Sequence, residues 1–120
     1  MAYFIYNKIS IGLTIYYDLR FLEIYQALSK NCDIIINIAN WPSIRKAHWI
    51  KLLKARAIEN QVYMIGVNTR GNVIAPIRKS KEIDIYNVYT SIVQKNREIF
   101  RLKTDRKEEL YEKWYKALRK

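Results

Sequence analysis

The sequence is poor in the residues that build many common sites. Its 120 residues include one cysteine, one histidine and three glycines. A lone cysteine cannot form an intrachain disulfide, which excludes a disulfide-stapled secreted scaffold and favours a cytoplasmic location. Because Cys32 and His48 are far apart and the glycines are scattered, neither a zinc motif nor a dinucleotide or phosphate loop is present. We expect no metal and no cofactor.

Long apolar runs are also missing. No stretch approaches the ~18 residues of a membrane span, and the first residues lack the pattern of a secretory signal, so no membrane association is expected. Half of the residues are apolar and 28% are charged, which is typical of a globular chain. The length fits one small domain, assigned to residues 1–120 with 101–120 as a C-terminal tail helix.

Positive charge is in excess. The chain has 22 Lys and Arg against 11 Asp and Glu, a net charge of +11. A basic nucleic-acid-binding module is therefore one alternative. However, no basic block stands out, and the abundance of Ile, Lys, Tyr and Asn matches the bias of A/T-rich codons. Nucleic acid is accordingly not the expected partner.

The hydrophobic pattern predicts an α/β fold of βαβαβ order. The predicted strands are 9–17, 34–39 and 62–68, and the predicted helices run from a cap at Asp18 to about Lys30 and from Pro42 to about Asn60. The strand at 34–39 is almost continuously apolar, which indicates a parallel sheet covered on both faces. Further on, short strands are predicted at 73–77 and around 83–85, a helix at about 87–100, and a last helix started by a capping box from Asp105 to Glu108.

Three blocks of the sequence resemble one family. Residues 11–23, which read IGLTIYYDLRFLE, resemble the nucleophile strand and elbow of the carbon-nitrogen hydrolase (nitrilase) superfamily. Residues 39–68 are similar to the next strand, helix and strand of its ω-amidase-like branch, through Ala39-Asn40-Trp41-Pro42, the run 55–61 and Gly66-Val67-Asn68. Segments at 83–84 and 97–111 resemble its closing strand, helix and tail.

The resemblance implies a fold and an activity. The family domain is a four-layer αββα sandwich, and this chain matches its C-terminal half, so the implied fold is a partial sandwich with a sheet face left uncovered. The implied activity is hydrolysis of C–N bonds in small amides or nitriles by a Glu-Lys-Cys triad, in which a thiolate attacks the carbonyl carbon. We expect a hairpin of the family to be deleted between 72 and 83.

The triad is not present in this chain. Tyr16 stands where the family motif has its cysteine, and a phenol, with an ordinary pKa of about 10, is a poor nucleophile at neutral pH. The glutamate and lysine belong to the half that would precede Met1. We therefore expect a remnant or pseudoenzyme, with Tyr16 as a structural aromatic in the vacated pocket.

Other residues receive more ordinary predictions. Tyr17, Asn40 and Trp41 are candidate substrate-binding residues, the latter two because they follow the carboxyl end of a strand. Cys32 is predicted to be a buried small hydrophobe and His48 a structural histidine on a helix that packs against the sheet. Two pairs are predicted to fix geometry, namely Arg20 with Glu23 and Arg56 with Glu59.

The expected partner is another polypeptide. A half-sandwich has sheet to hide, so the resemblance implies a homo-oligomer, with the last helix as one contact, or a missing N-terminal half that would make the chain part of a split enzyme. A small amide is a partner only by resemblance. An oligomerising scaffold thus remains a second alternative to an amidohydrolase.

Overall fold

The computed structural model describes residues 2–68 and 88–119 and contains a four-stranded sheet. The strands are β1 (Ala2–Tyr6), β2 (Ile9–Ile15), β3 (Ile34–Ala39) and β4 (Tyr63–Asn68), in the spatial order β1-β2-β3-β4. β1 pairs antiparallel with β2, and β2, β3 and β4 are parallel. The predicted α/β class and the parallel βαβαβ unit are confirmed. The predicted strands at 73–77 and 83–85 and the deleted hairpin lie outside the described residues.

The sequence prediction missed β1. Asn7 and Lys8 connect it to β2, and both have positive φ angles, of 48° and 67°. Two left-handed residues in a row form the two-residue turn whose twist matches a β-hairpin. Asparagine adopts this conformation readily, whereas lysine rarely does. The pair Asn7-Lys8 therefore lacks the glycine that usually identifies such a turn in a sequence.

Two short 3-10 turns and five helices make up the remaining regular structure of the described residues. The turns are Tyr16–Arg20 and Ser43–Arg45, and the helices are α1 (Leu22–Leu28), α2 (Lys46–Asn60), α3 (Thr90–Ile99), α4 (Leu102–Asp105) and α5 (Glu108–Leu118). None of these helices is long and apolar enough to cross a lipid bilayer.

Two predicted helix caps are wrong. Asp18 lies inside the first 3-10 turn, where its Oδ2 accepts a hydrogen bond from the Ile15 N–H at 3.0 Å, so it closes the turn instead of capping α1. Asp105 ends α4 instead of starting α5. The Glu108 carboxylate accepts a hydrogen bond from Arg106 at 3.0 Å, so it is engaged outside a capping box.

One face of the sheet is covered by α1 and α2. A side chain at Gly12 would lie 3.2 Å from the Cys32 sulfur, and one at Gly66 would lie 2.7 Å from the Trp49 ring. The small residue Gly12 on this face of β2 therefore allows core side chains of the same chain to pack closely against the strand. Ile35 of β3 is fully buried in the same layer.

The opposite face of the sheet is almost entirely apolar. Strand register places on it Ala2, Phe4, Tyr6, Ile9, Ile11, Leu13, Ile15, Ile34, Ile36, Ile38, Tyr63, Ile65 and Val67. We call this set the open face. Of these described residues only Ile34 is buried, while Ile15 and Ile38 are 66% and 50% exposed.

The C-terminal helices lie elsewhere. Arg97 of α3 forms a 3.0 Å ion pair with Asp33, just before β3. Lys103 of α4 donates to the Ser29 carbonyl oxygen, and the Tyr115 hydroxyl of α5 donates to Glu23 at 2.8 Å. The tail thus follows the outer side of α1 and leaves the open face uncovered by it.

Candidate functional site

The chain turns sharply where β2 ends. Tyr16 has a φ angle of 35°, in the left-handed region that bulky residues rarely adopt. Strain of this kind costs roughly 1 to 3 kcal/mol and persists where the surroundings enforce it. The Asp18 bond to the Ile15 N–H is one such constraint. The elbow suggested by the sequence is therefore present as a strained turn at the carboxyl end of a parallel strand.

Tyr16 faces other aromatic rings. Its ring centroid lies 5.3 Å from that of Trp41 and 6.4 Å from that of Tyr17, and Phe21 contacts Tyr17 edge-on at 5.5 Å. Trp41 is buried, whereas Tyr16 is 40% exposed. The structure thus brings together Tyr16, Tyr17 and Trp41, and Tyr16 forms part of an aromatic wall instead of a deeply buried plug.

Arg20 belongs to this cluster, which the sequence did not indicate. Its guanidinium carbon lies 5.8 Å from the Tyr17 ring centroid and 5.3 Å from that of Trp41, within range of cation–π attraction. The predicted Arg20–Glu23 pair is wrong, because the Glu23 carboxylate instead accepts the Tyr115 hydroxyl. That bond lies on the tail side of α1, away from the rings that hold Arg20.

The predicted Arg56–Glu59 pair is confirmed. Their side chains meet at 3.0 Å on α2. The buried Arg56 also donates through Nε to the Leu19 carbonyl oxygen at 3.2 Å. It therefore fastens α2 to the 3-10 turn that carries Tyr16.

Asn68 positions Trp41 and was also missed as a site residue. Its Oδ1 accepts the Trp41 backbone N–H at 3.0 Å, and its Nδ2 donates to the Trp41 carbonyl oxygen at 3.4 Å. The Trp41 indole N–H donates to the Arg45 carbonyl oxygen at 3.0 Å. The sequence contained one indication of this contact. Asn68 ends β4, which is the neighbour of β3, and Asn40 and Trp41 directly follow β3. Asn40 itself is exposed at this edge.

A buried polar network lies beneath the elbow. Thr14 Oγ1 and Tyr25 Oη are 2.9 Å apart, and Asn37 Nδ2 donates to both, at 3.0 and 3.2 Å. Thr14 also donates to the Ile36 carbonyl oxygen at 3.3 Å. Burial raises the pKa of the Tyr25 phenol, which keeps it protonated and able to donate. The network joins β2, β3 and α1 directly behind Tyr16.

The only cysteine and the only histidine lie outside this cluster. Cys32 is buried, as predicted, and burial raises the pKa of its thiol, which disfavours the reactive thiolate. The prediction for His48 is wrong, since this side chain is exposed. On α2 the neighbouring Trp49 occupies the buried position instead. Because α2 lacks a single apolar stripe, the sequence did not fix which of its residues face the sheet.

The described residues offer a limited set of chemical groups. In ranges 2–68 and 88–119, no cluster of three or more His, Cys, Asp or Glu side chains is arranged to hold a metal ion. The elbow edge supplies aromatic walls and the Arg20 cation. Such groups can bind a planar or anionic molecule, while the elbow position carries a phenol instead of a thiol.

Comparisons with known proteins agree with the sequence blocks. The family model described as carbon-nitrogen hydrolase matches residues 1–111. A hydrolase in the agr operon of Staphylococcus lugdunensis is 46% identical over 66 residues, which cover 54% of this chain and 28% of that protein. Omega-amidase YafV of Yersinia enterocolitica is 46% identical over 56 residues, covering 47% of this chain and 22% of that protein.

Solved structures show the same fold. XC1258 from Xanthomonas campestris, a CN-hydrolase superfamily protein, superimposes with a TM-score of 0.69 at 22% identity, over 88% of this chain and 50% of that one. The chain thus spans about half of that structure and about a quarter of these two curated relatives. With the family model covering most of its residues, the chain belongs to the carbon-nitrogen hydrolase family.

Proposed function

We propose that the chain is an ω-amidase-like module that does not hydrolyse small amides. The observation that carries this proposal is Tyr16 at the strained elbow, packed 5.3 Å from the Trp41 ring. Thiolate attack needs a sulfur at the elbow, and the chain's only sulfhydryl, on Cys32, is buried beneath Gly12. Neither geometry nor chemistry of the described residues supplies the nucleophile.

Ammonia release from glutaramate, a small ω-amide, tests the proposal. The unaltered chain is expected to release no ammonia above the rate without protein. Tyr16→Phe is the matched control, because it removes the hydroxyl and keeps the ring. Ammonia release by the unaltered chain that Tyr16→Phe abolishes would mean that the phenol itself takes part in hydrolysis, and the proposal would fail.

The geometry of the elbow has a separate test. In Tyr16→Cys, the new thiol should sit at an exposed, strained turn and react rapidly with Ellman's reagent. The unaltered chain serves as its control, because its single thiol, Cys32, is buried and should react slowly. A thiol at position 16 that reacts as slowly as Cys32 would show that the turn does not present its side chain.

We also propose that the elbow edge binds a small amide without hydrolysing it. Tyr17, Asn40 and Trp41 are the proposed contacts, supported by their place at the carboxyl ends of parallel strands, where α/β sheets bind ligands. Tryptophan fluorescence measured during titration with glutaramate should change and saturate. Trp41→Phe should lose most of that change, and a signal that never saturates would count against binding.

A further inference from the structure

The open face carries no charged side chain. Every one of its described members is Ala, Ile, Leu, Val, Phe or Tyr, in a chain with 22 Lys and Arg and a net charge of +11. An apolar patch that large on a charged molecule is typical of a surface that another layer covers. Nothing on it is suited to an anionic partner such as nucleic acid, because the phosphates would find no cation there.

The size of the open face is sufficient for association. Four strands about 4.8 Å apart and about six residues long form a footprint of roughly 19 by 20 Å. Protruding side chains make the accessible area larger than that footprint. Two such footprints add to roughly 760 Å², and the protruding side chains raise the buried accessible area toward the roughly 1,000 Å² at which specific interfaces begin.

The shape of the open face also suits a copy of itself. Its members come from one regular four-stranded sheet, and two such sheets pack face to face about 10 Å apart with their side chains interdigitating. A two-fold axis through the centre would place β2 and β3 of one copy against the same strands of the other. An uncharged, uniformly apolar face meets itself without placing like charges together.

We propose that two copies of this chain pack their open faces together, giving a symmetric helix-sheet-sheet-helix assembly. Ile11, Leu13 and Ile36 lie near its centre, Ile15 and Ile38 lie toward the carboxyl ends of the strands, and the helices lie outside. The interface does not depend on the chemistry at Tyr16, so it extends beyond the proposed function.

Salt provides a distinguishing property of this assembly. Two copies at +11 each repel at long range, whereas the interface itself is uncharged. Added salt screens that repulsion, so dimerisation should tighten as ionic strength rises. Binding to a polyanion would show the opposite dependence.

The experiment is a mass measurement by light scattering after size exclusion, over a range of concentrations and at two salt concentrations. The unaltered chain should have twice its 14.4 kDa mass. Ile38→Lys and Leu13→Lys should each weaken dimerisation at least 100-fold, because the two-fold axis buries two lysines at once. Circular dichroism establishes that both variants remain folded, as expected for side chains that are already exposed.

Ile44→Lys and Ile58→Lys are the matched controls, since these isoleucines are 90% and 74% exposed on the helical side of the chain. Both should remain dimeric. Three results would overturn the proposal: a monomeric unaltered chain, a dimer that survives Ile38→Lys and Leu13→Lys, or a stable complex that forms only with a second, different polypeptide.

Discussion

The two faces of the sheet differ in both composition and surroundings. On β3, Ile35 is fully buried under the helices, whereas Ile38 on the other face is half exposed. The helical face also contains the polar residues Thr14 and Asn37, which are joined by a buried hydrogen bond from Asn37 Nδ2 to Thr14 Oγ1, although the Asn37 Oδ1 has no hydrogen-bond partner among the described residues. Polar side chains are therefore buried on the helical face, where a hydrogen-bond network joins them. The open face has only apolar and tyrosine side chains, and it is the face that still lacks a covering layer.

The largest expected effect on stability comes from comparing two isoleucines of β3 that lie on opposite faces of the sheet. Ile35→Ala should lower the free energy of unfolding by about 2 to 5 kcal/mol, because it removes buried methylenes and leaves a cavity. Ile38→Ala, its matched control, should have a much smaller effect on the monomer and should mainly reduce the dependence of stability on concentration. Urea unfolding at two protein concentrations measures both. Equal losses in the dilute monomer would contradict the difference between the faces.

A second comparison lies within the covered face. Gly66→Ala places a Cβ against the Leu53 side chain and 2.7 Å from the Trp49 ring, so both must shift and a loss of about 1 to 3 kcal/mol is expected. Gly12→Ala brings a Cβ only to 3.2 Å from the Cys32 sulfur and should cost less. Thermal unfolding of the two variants ranks them. The reverse order would mean that α2 sits farther from β4 than described.

The buried network is the next test. Thr14→Val should destabilise the fold by about 1 to 3 kcal/mol, because the Tyr25 hydroxyl loses its Thr14 partner in the core. Tyr25→Phe is a useful companion, and the double variant should cost less than the sum of the two. Urea unfolding of the three proteins completes the cycle. Strict additivity would show that the two hydroxyls do not act together.

The smallest effect concerns Lys103 on the outer side of the helical layer. Burial lowers its pKa to about 8 from 10.5, so the folded state binds fewer protons than the unfolded state between those values. Stability contributed by this group should therefore rise with pH from about 8 to 10.5. Unfolding of the unaltered chain and of Lys103→Met across this range gives the difference. A difference that falls with pH would contradict the burial of Lys103.

The sequence predicted most of the central fold. The strand at 34–39 was predicted with its observed bounds, and the end of α2 at Asn60 was also correct, because apolar runs and periodicity depend directly on burial. β1 was missed because Lys8 gives no sign that it adopts a positive φ angle. The caps at Asp18 and Asp105 failed because local carboxylate bonds competed with helix capping.

The candidate site was less predictable than the fold. The strand ends placed Tyr16 and Trp41 at one edge of the sheet, which the structure shows in contact. The stacking of Arg20 and the clamp from Asn68 depend on rotamers and distances between segments far apart in sequence, for which no local pattern exists. His48 was misplaced because α2 lacks a single apolar stripe, so the sequence did not determine which of its residues face the sheet.

The most direct test of the account is a filtered NOE experiment on an equal mixture of chains with 13C-labelled isoleucine methyls and unlabelled chains. Intermolecular NOEs should arise from the methyls of Ile15, Ile36 and Ile38 and be absent from Ile35, which faces the helices of its own chain. Intermolecular NOEs absent from all four residues, or present only at Ile35, would contradict the claim that the open face is where two copies meet.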